Sequence, residues 1–148
     1  MEDVRAILQI TMRRFGMLNK NCCSVEEQEI SQVQSHILYE LARTEGPSMQ
    51  QVAETIGMDI TTFSRQIQTL VKMELVEKRQ SNEDKRMYHL YLTEKGDKLE
   101  DEINQQMHHY LTNVFSNLNE VDRVKVVESL KVLNAAMSKS SMCCKPLY

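Results

Sequence analysis

The sequence predicts a mainly α-helical fold with one small β-hairpin, and three observations carry that expectation. Apolar residues recur at steps of three and four along most of the chain, the pattern of helices with one buried face. Two short runs, Leu75 to Arg79 and Met87 to Leu92, have strand composition and flank the polar, turn-forming stretch Ser81-Asn82-Glu83-Asp84-Lys85-Arg86. Ser31, Ser48 and Thr93 stand where helix N-caps belong, and Gln51 follows Ser48 at capping-box spacing.

The totals set the frame for these elements. A length of 148 residues suits one compact unit. With ten methionines and no tryptophan, its core should be aliphatic and adaptable. No apolar run approaches the roughly 20 residues that span a bilayer. The beginning, with Glu2 and Asp3, lacks the basic-then-apolar form of a signal peptide. The expectation is a cytoplasmic protein without membrane association, its four cysteines reduced at rest. The net charge of −3 argues against nucleic acid only superficially, because the middle third is neutral and the ends carry the acidic excess. Binding to DNA would require Arg65, Lys78, Arg79, Lys85 and Arg86 to gather on one face, since affinity comes largely from phosphate neutralisation.

Taken in order, Val4, Ile7, Leu8, Met12, Phe15 and Leu18 define a first helix, interrupted by Asn19-Lys20-Asn21. Cys22, Cys23 and an acidic run form a connection to a helix capped by Ser31, with Val33, Ile37, Leu38, Leu41 and Ala42 inward. Gly46-Pro47 stops that helix, and a short one opens at Ser48. Gly57 fits the tight turn that follows. In the next helix Ile60, Phe63, Ile67, Leu70 and Val71 form an apolar stripe, whereas Thr61, Thr62, Ser64, Arg65, Gln68 and Thr69 form a short polar one. That polar face is rich in groups able to bond base edges in a major groove. Two short helices around a tight turn make a helix-turn-helix, and the appended hairpin makes a wing. Thr93 then caps a long helix carrying Leu99, Ile103, Met107, Tyr110, Leu111 and Val114. A break at Asn117 to Asn119 precedes a last helix rich in valine and leucine.

The expected organisation is a winged helix-turn-helix lobe over residues 31–92, with dimerisation helices over 1–21 and 94–138 and a flexible tail over 139–148. The long terminal helices carry more apolar surface than one subunit covers, which predicts a homodimer.

The string Asp84-Lys-Arg-Met-Tyr-His-Leu-Tyr-Leu-Thr-Glu-Lys-Gly96 is similar to the wing signature of the MarR family of winged helix-turn-helix transcriptional regulators, an Asp-x-Arg followed by Leu-x-Leu-Thr-x-x-Gly. Leu75 to Arg79 after the recognition helix and Asp59 before it add to the likeness. The resemblance implies that Ser64 and Arg65 meet bases and phosphates, and that Arg86, aided by Lys85, enters or borders the minor groove. It also implies that Asp59 and Asp84 brace that arginine, and that a ligand-responsive repressor grips a pseudo-palindromic double-stranded operator. A guanidinium suits the negative potential of a narrow minor groove, and an orienting carboxylate limits the entropy lost on docking.

For the signal, a small-molecule effector or a thiol chemistry is open. Adjacent cysteines lie about 3.8 Å apart at Cα, too close for an unstrained disulfide, so Cys22-Cys23 would bond to Cys143-Cys144 rather than within a pair. Idle thiols, a redox switch and a soft-metal site all remain readings of these four residues. His36, His108 and His109 raise a zinc-responsive alternative, but His108 and His109 are neighbours that cannot share one helix face. His89, in a strand, reads as structural. No cofactor is implied. An enzyme finds no support, for there is no phosphate loop, nucleophile elbow, Cys-x-x-Cys or His-Glu-x-x-His pattern. A winged-helix module that docks protein is the remaining alternative, and a steep salt dependence of binding would argue for DNA instead.

Overall fold

A computed structural model of the chain describes residues 3–16, 23–25 and 28–140. Its elements are α1 (Val4–Arg14), β1 (Cys23–Val25), β2 (Gln28–Ile30), α2 (Gln32–Arg43), α3 (Met49–Ile56), α4 (Ile60–Lys72), β3 (Val76–Gln80), β4 (Tyr88–Leu92), α5 (Glu94–Ser116) and α6 (Glu120–Ser138). The fold is mainly helical with the expected hairpin: β3 and β4 pair antiparallel, Val76 opposite Leu92 and Gln80 opposite Tyr88.

The caps explain where most helices begin. Ser31 and Ser48 each form a complete capping box, with Gln34 and Gln51 returning the bond to the cap's own N–H. Thr93 accepts from the Gly96 N–H, and Asn119 from that of Asp122, so the break between the two long helices falls where the sequence places it. Gly57 closes α3 in the left-handed region, at φ 74°, a conformation that costs glycine little.

Four details differ from the sequence-based expectation. The first helix ends at Arg14 rather than running to Leu18, because Gly16 at φ 80° leaves the helical region; Leu18 itself lies outside the described residues. The connection before α2 contains a second antiparallel hairpin, β1 with β2, Cys23 opposite Ile30. Its three-residue strands are shorter than any alternation that periodicity can detect. The stripe of α4 is narrower than expected: Phe63, Ile67 and Leu70 are buried, while Ile60 and Val71 stay 44% and 39% exposed. Ile60 overhangs the core at the first helical position, and Val71 is rotated one residue beyond Leu70 toward the edge. The long helix after the wing is likewise inward only in its first half, with Leu99 and Ile103 buried and Met107, Tyr110 and Val114 exposed.

A single apolar cluster joins Ile30, Ile37 and Leu38, Phe63 and Ile67, Leu90, and Leu99 with Ile103. It lies between α2, α4 and the wing, and it closes against the start of α5. That junction is tight: a Cβ built on Gly96 would strike the Leu75 carbonyl, a backbone group that cannot step aside. Neither α1 nor α6 contributes a buried residue. No helix among the described residues is long and apolar enough to cross a membrane.

Candidate nucleic-acid interface

Burying Phe63, Ile67 and Leu70 fixes which face α4 turns outward. Thr61, Thr62, Arg65, Gln68 and Thr69 are exposed, and Ser64 is half-buried at the edge of that face. Asp59 caps the helix by accepting from the Thr62 N–H at 2.9 Å, and the Thr69 hydroxyl donates back to the Arg65 carbonyl at 3.2 Å. Arg65 and Gln68 are left as long side chains on the outer surface, one helical turn apart. The inner edge carries a contact that periodicity misses: Gln66, half-buried, accepts from the Gln34 side-chain amide of α2 at 3.4 Å.

The wing is built to hold one cation out. At its tip the Ser81 N–H donates to the Met87 carbonyl at 2.8 Å, and the Ser81 hydroxyl accepts from the N–H groups of Glu83 and Asp84. Gln80 closes the turn from the side, its amide donating to the Lys85 carbonyl at 2.6 Å. Within this frame Asp84 accepts three bonds from Arg86: from the backbone N–H at 3.0 Å, from Nε at 3.1 Å and from Nη2 at 3.2 Å. The fork fixes the guanidinium's orientation, yet the Arg86 side chain remains 90% exposed. The side-chain bond from Arg86, and then the backbone bond, hold the Asp84 carboxyl below its ordinary value of 3.8.

Several bonds tie this wing to the loop before α3 and to the end of α4. Leu90 N–H donates to the Pro47 carbonyl at 2.9 Å, and His89 Nδ1 lies 2.8 Å from the Gly46 carbonyl oxygen, a structural role in keeping with its strand position. At the base, Thr93 donates to the carbonyls of Leu75 and Glu74, and Lys95 Nζ reaches the Met73 carbonyl at 3.0 Å. α4, the wing and the first turn of α5 therefore share one rigid corner. Two further cations line the wing strands, Lys78 over the Tyr88 ring at 4.2 Å and Arg79 over the Tyr91 ring at 4.3 Å.

The other residues singled out by sequence are distributed less tightly. Asp84 contacts the Arg86 guanidinium, and Asp59 caps α4. Lys85 is exposed beside Arg86 at the tip. His36 lines a cleft of ≈ 360 Å³ beside the α3–α4 turn, with Val33, Ile56 and Met58. His108 borders a different cleft, of ≈ 330 Å³, between α5 and α6. No three His, Cys, Asp or Glu side chains among the described residues converge on a metal-sized site. Cys22, Cys143 and Cys144, and the side chain of Cys23, lie outside the described residues.

An exposed polar helix face, joined rigidly to a wing that presents a braced arginine, is the geometry of a winged helix-turn-helix. The family model described as the MarR family matches residues 30–88, the segment from β2 to the start of β4. Over this segment, 59 of the 148 residues, the chain resembles the MarR family. Solved structures agree in fold. A MarR transcriptional regulator from Methanosarcina mazei Go1 is 25% identical, with a TM-score of 0.79 over 93% of this chain and 99% of that one. FabT of Streptococcus pneumoniae in complex with DNA is 16% identical, with a TM-score of 0.78 over 90% and 94%. The S. aureus MepR–DNA complex is 17% identical, with a TM-score of 0.77 over 92% and 99%. The comparison with curated proteins finds no match. Fold and matched segment alike are those of MarR transcriptional regulators.

Proposed function

We propose that the protein is a homodimeric repressor that grips a pseudo-palindromic operator with α4 in successive major grooves and the wing in the flanking minor grooves. The observation that carries this reading is Arg86, held outward by a bidentate bond to Asp84 on a wing that is rigidly joined to α4. Thr61, Thr62, Ser64, Arg65 and Gln68 serve as the major-groove surface, and Lys85 adds a phosphate contact beside Arg86. The DNA complexes of FabT and MepR, which share this fold, support the assignment. Release follows when a small molecule or a thiol-directed oxidant or soft metal acts on the terminal helices, for which Cys22, Cys23, Cys143 and Cys144 are the candidate thiols.

The operator is obtained by selecting bound DNA from a random pool. Arg86→Ala should then weaken binding by on the order of 1–3 kcal/mol, about tenfold or more, with the thermal unfolding curve unchanged. Loss of a phosphate-contacting cation such as Lys85 should reduce the slope of log K against log salt by roughly one. An Arg86→Ala protein that is folded and binds with undiminished affinity removes the wing from this mechanism.

A further inference from the structure

Glu100 is the one charged side chain that is buried among the described residues, and the DNA-facing surface makes no use of it. It sits on α5 between Leu99 and Ile103, both inserted in the core. Its Oε1 accepts from Arg43 Nη1 at 3.0 Å. Arg43 is the last residue of α2, and its Nη1 also donates to the Tyr39 carbonyl at 3.0 Å. The guanidinium lies over the Tyr39 ring, 3.5 Å from the centroid. The arginine is thus held on its own helix by a carbonyl and a ring while it reaches across to α5.

An ion pair with one buried partner contributes little net stability compared with a well-packed apolar pair. Its distinct effect here is directional. Leu99 and Ile103 pack by shape, and such a seam tolerates small rotations of one helix on another, whereas a hydrogen bond of fixed length does not. The pair also sits at a sensitive point: Arg43 is followed within four residues by Gly46-Pro47, whose carbonyls hold β4, and α5 begins directly after β4. From Glu100 to Ser116 the helix is a lever of roughly 24 Å at 1.5 Å per residue. A tilt of about 8° at the pair moves its far end by about 3.4 Å, one base-pair step.

We propose that Arg43 and Glu100 are positioning residues for DNA recognition, fixing the angle at which α5 leaves the winged lobe and thereby the separation of the two α4 helices in the dimer. This rests on the dimeric reading above. The pair touches no DNA and acts through spacing.

The test compares wild type, the double variant Arg43→Met/Glu100→Leu, and Glu100→Gln, which keeps an acceptor for Arg43. Each is titrated against the selected operator, operators with one or two base pairs inserted or removed between half-sites, and a single half-site. The double variant should remain a dimer by light scattering and bind the half-site as wild type does. Its preference for the selected spacing should fall by at least about fivefold, the lower end of typical coupling between sites. Glu100→Gln should retain the preference. If the double variant does not fold, Glu100→Leu alone carries the same expectation, since the Arg43 side chain is 39% exposed and can turn to water. A folded, dimeric variant with the wild-type spacing preference overturns the proposal. A wild-type protein that is monomeric or indifferent to spacing overturns the dimeric reading first and the proposal with it, and the wild-type titration alone reveals which has failed.

Discussion

Three hydrogen bonds join Arg86 to Asp84, and in the proposed recognition the charge state of the pair sets when the braced guanidinium is available. Asp84 is held below its ordinary value of 3.8 by the Arg86 bonds. A depressed carboxylate contributes its interaction fully above the ordinary value and loses it as pH falls through the lowered one, so the window lies on the acid side of 3.8. The affinity penalty of Asp84→Asn should therefore be constant from pH 8 down to pH 5, measured by gel shift at fixed salt. A penalty that fades across that range would mean that Asp84 is not an ionised brace. This pair is legible in sequence because both partners lie in one turn, two residues apart. The Arg43–Glu100 pair is not, since 57 residues separate its members and only folding brings them together. Ser81, which shapes the tip, was legible only as a generic turn residue, and Gln80 carried no signal at all; their bonds depend on the closed hairpin.

At the scale of elements, the caps made the helices readable while backbone exceptions hid their ends. Serine and threonine announce a start through their own chemistry, as at Ser31, Ser48 and Thr93. The end of α4 gives no such signal, because its left-handed residue is Glu74, at φ 60°, where glycine is the usual occupant. The Leu75 N–H nonetheless donates to the Leu70 carbonyl at 3.0 Å, and the Glu74 carbonyl accepts from Thr93, so α4 ends in a firm joint with the wing base. A left-handed L-residue costs roughly 1–2 kcal/mol, partly offset by the extra backbone entropy that glycine loses on folding. Glu74→Gly should accordingly raise the stability of the winged lobe by about 0.5–1 kcal/mol, read from the denaturant midpoint at unchanged m. A lower midpoint would show that the Glu74 side chain contributes more than its backbone strain costs. The β1–β2 hairpin illustrates the opposite limit: its existence depends on pairing that three-residue strands do not advertise.

For the whole molecule, the decisive feature is where burial stops. The core runs from Ile30 to Ile103, and beyond it α1 and α6 bury nothing. On α6, Leu130 and Leu133 are 52% and 40% exposed, and Val121 and Val124 more so, while on α1 Ile7 and Ile10 are about half exposed. Isolated helices of 11 and 19 residues are marginal in water without a packed face. Large apolar side chains exposed along whole helices of this kind suit an interface. In the proposed homodimer a second copy would supply identical apolar helices to cover it, and two-fold pairing would also deliver two α4 helices to matching half-sites. The apolar pattern of these helices was visible in the sequence, though their lack of contact with their own core was not, because periodicity gives a helix a face without saying what covers it. Leu130→Glu/Leu133→Glu should place two carboxylates in that interface and yield monomers in light scattering at micromolar concentration. The winged lobe, whose core contains no α6 residue, should keep its cooperative unfolding. Affinity for the two-fold operator should fall by roughly 100-fold or more, since the second half-site no longer binds as an intramolecular step. Affinity for a single half-site should change little. If the doubly charged variant still elutes and scatters as a dimer, the terminal helices are not what joins the subunits, and the exposed faces of α1 and α6 need another occupant.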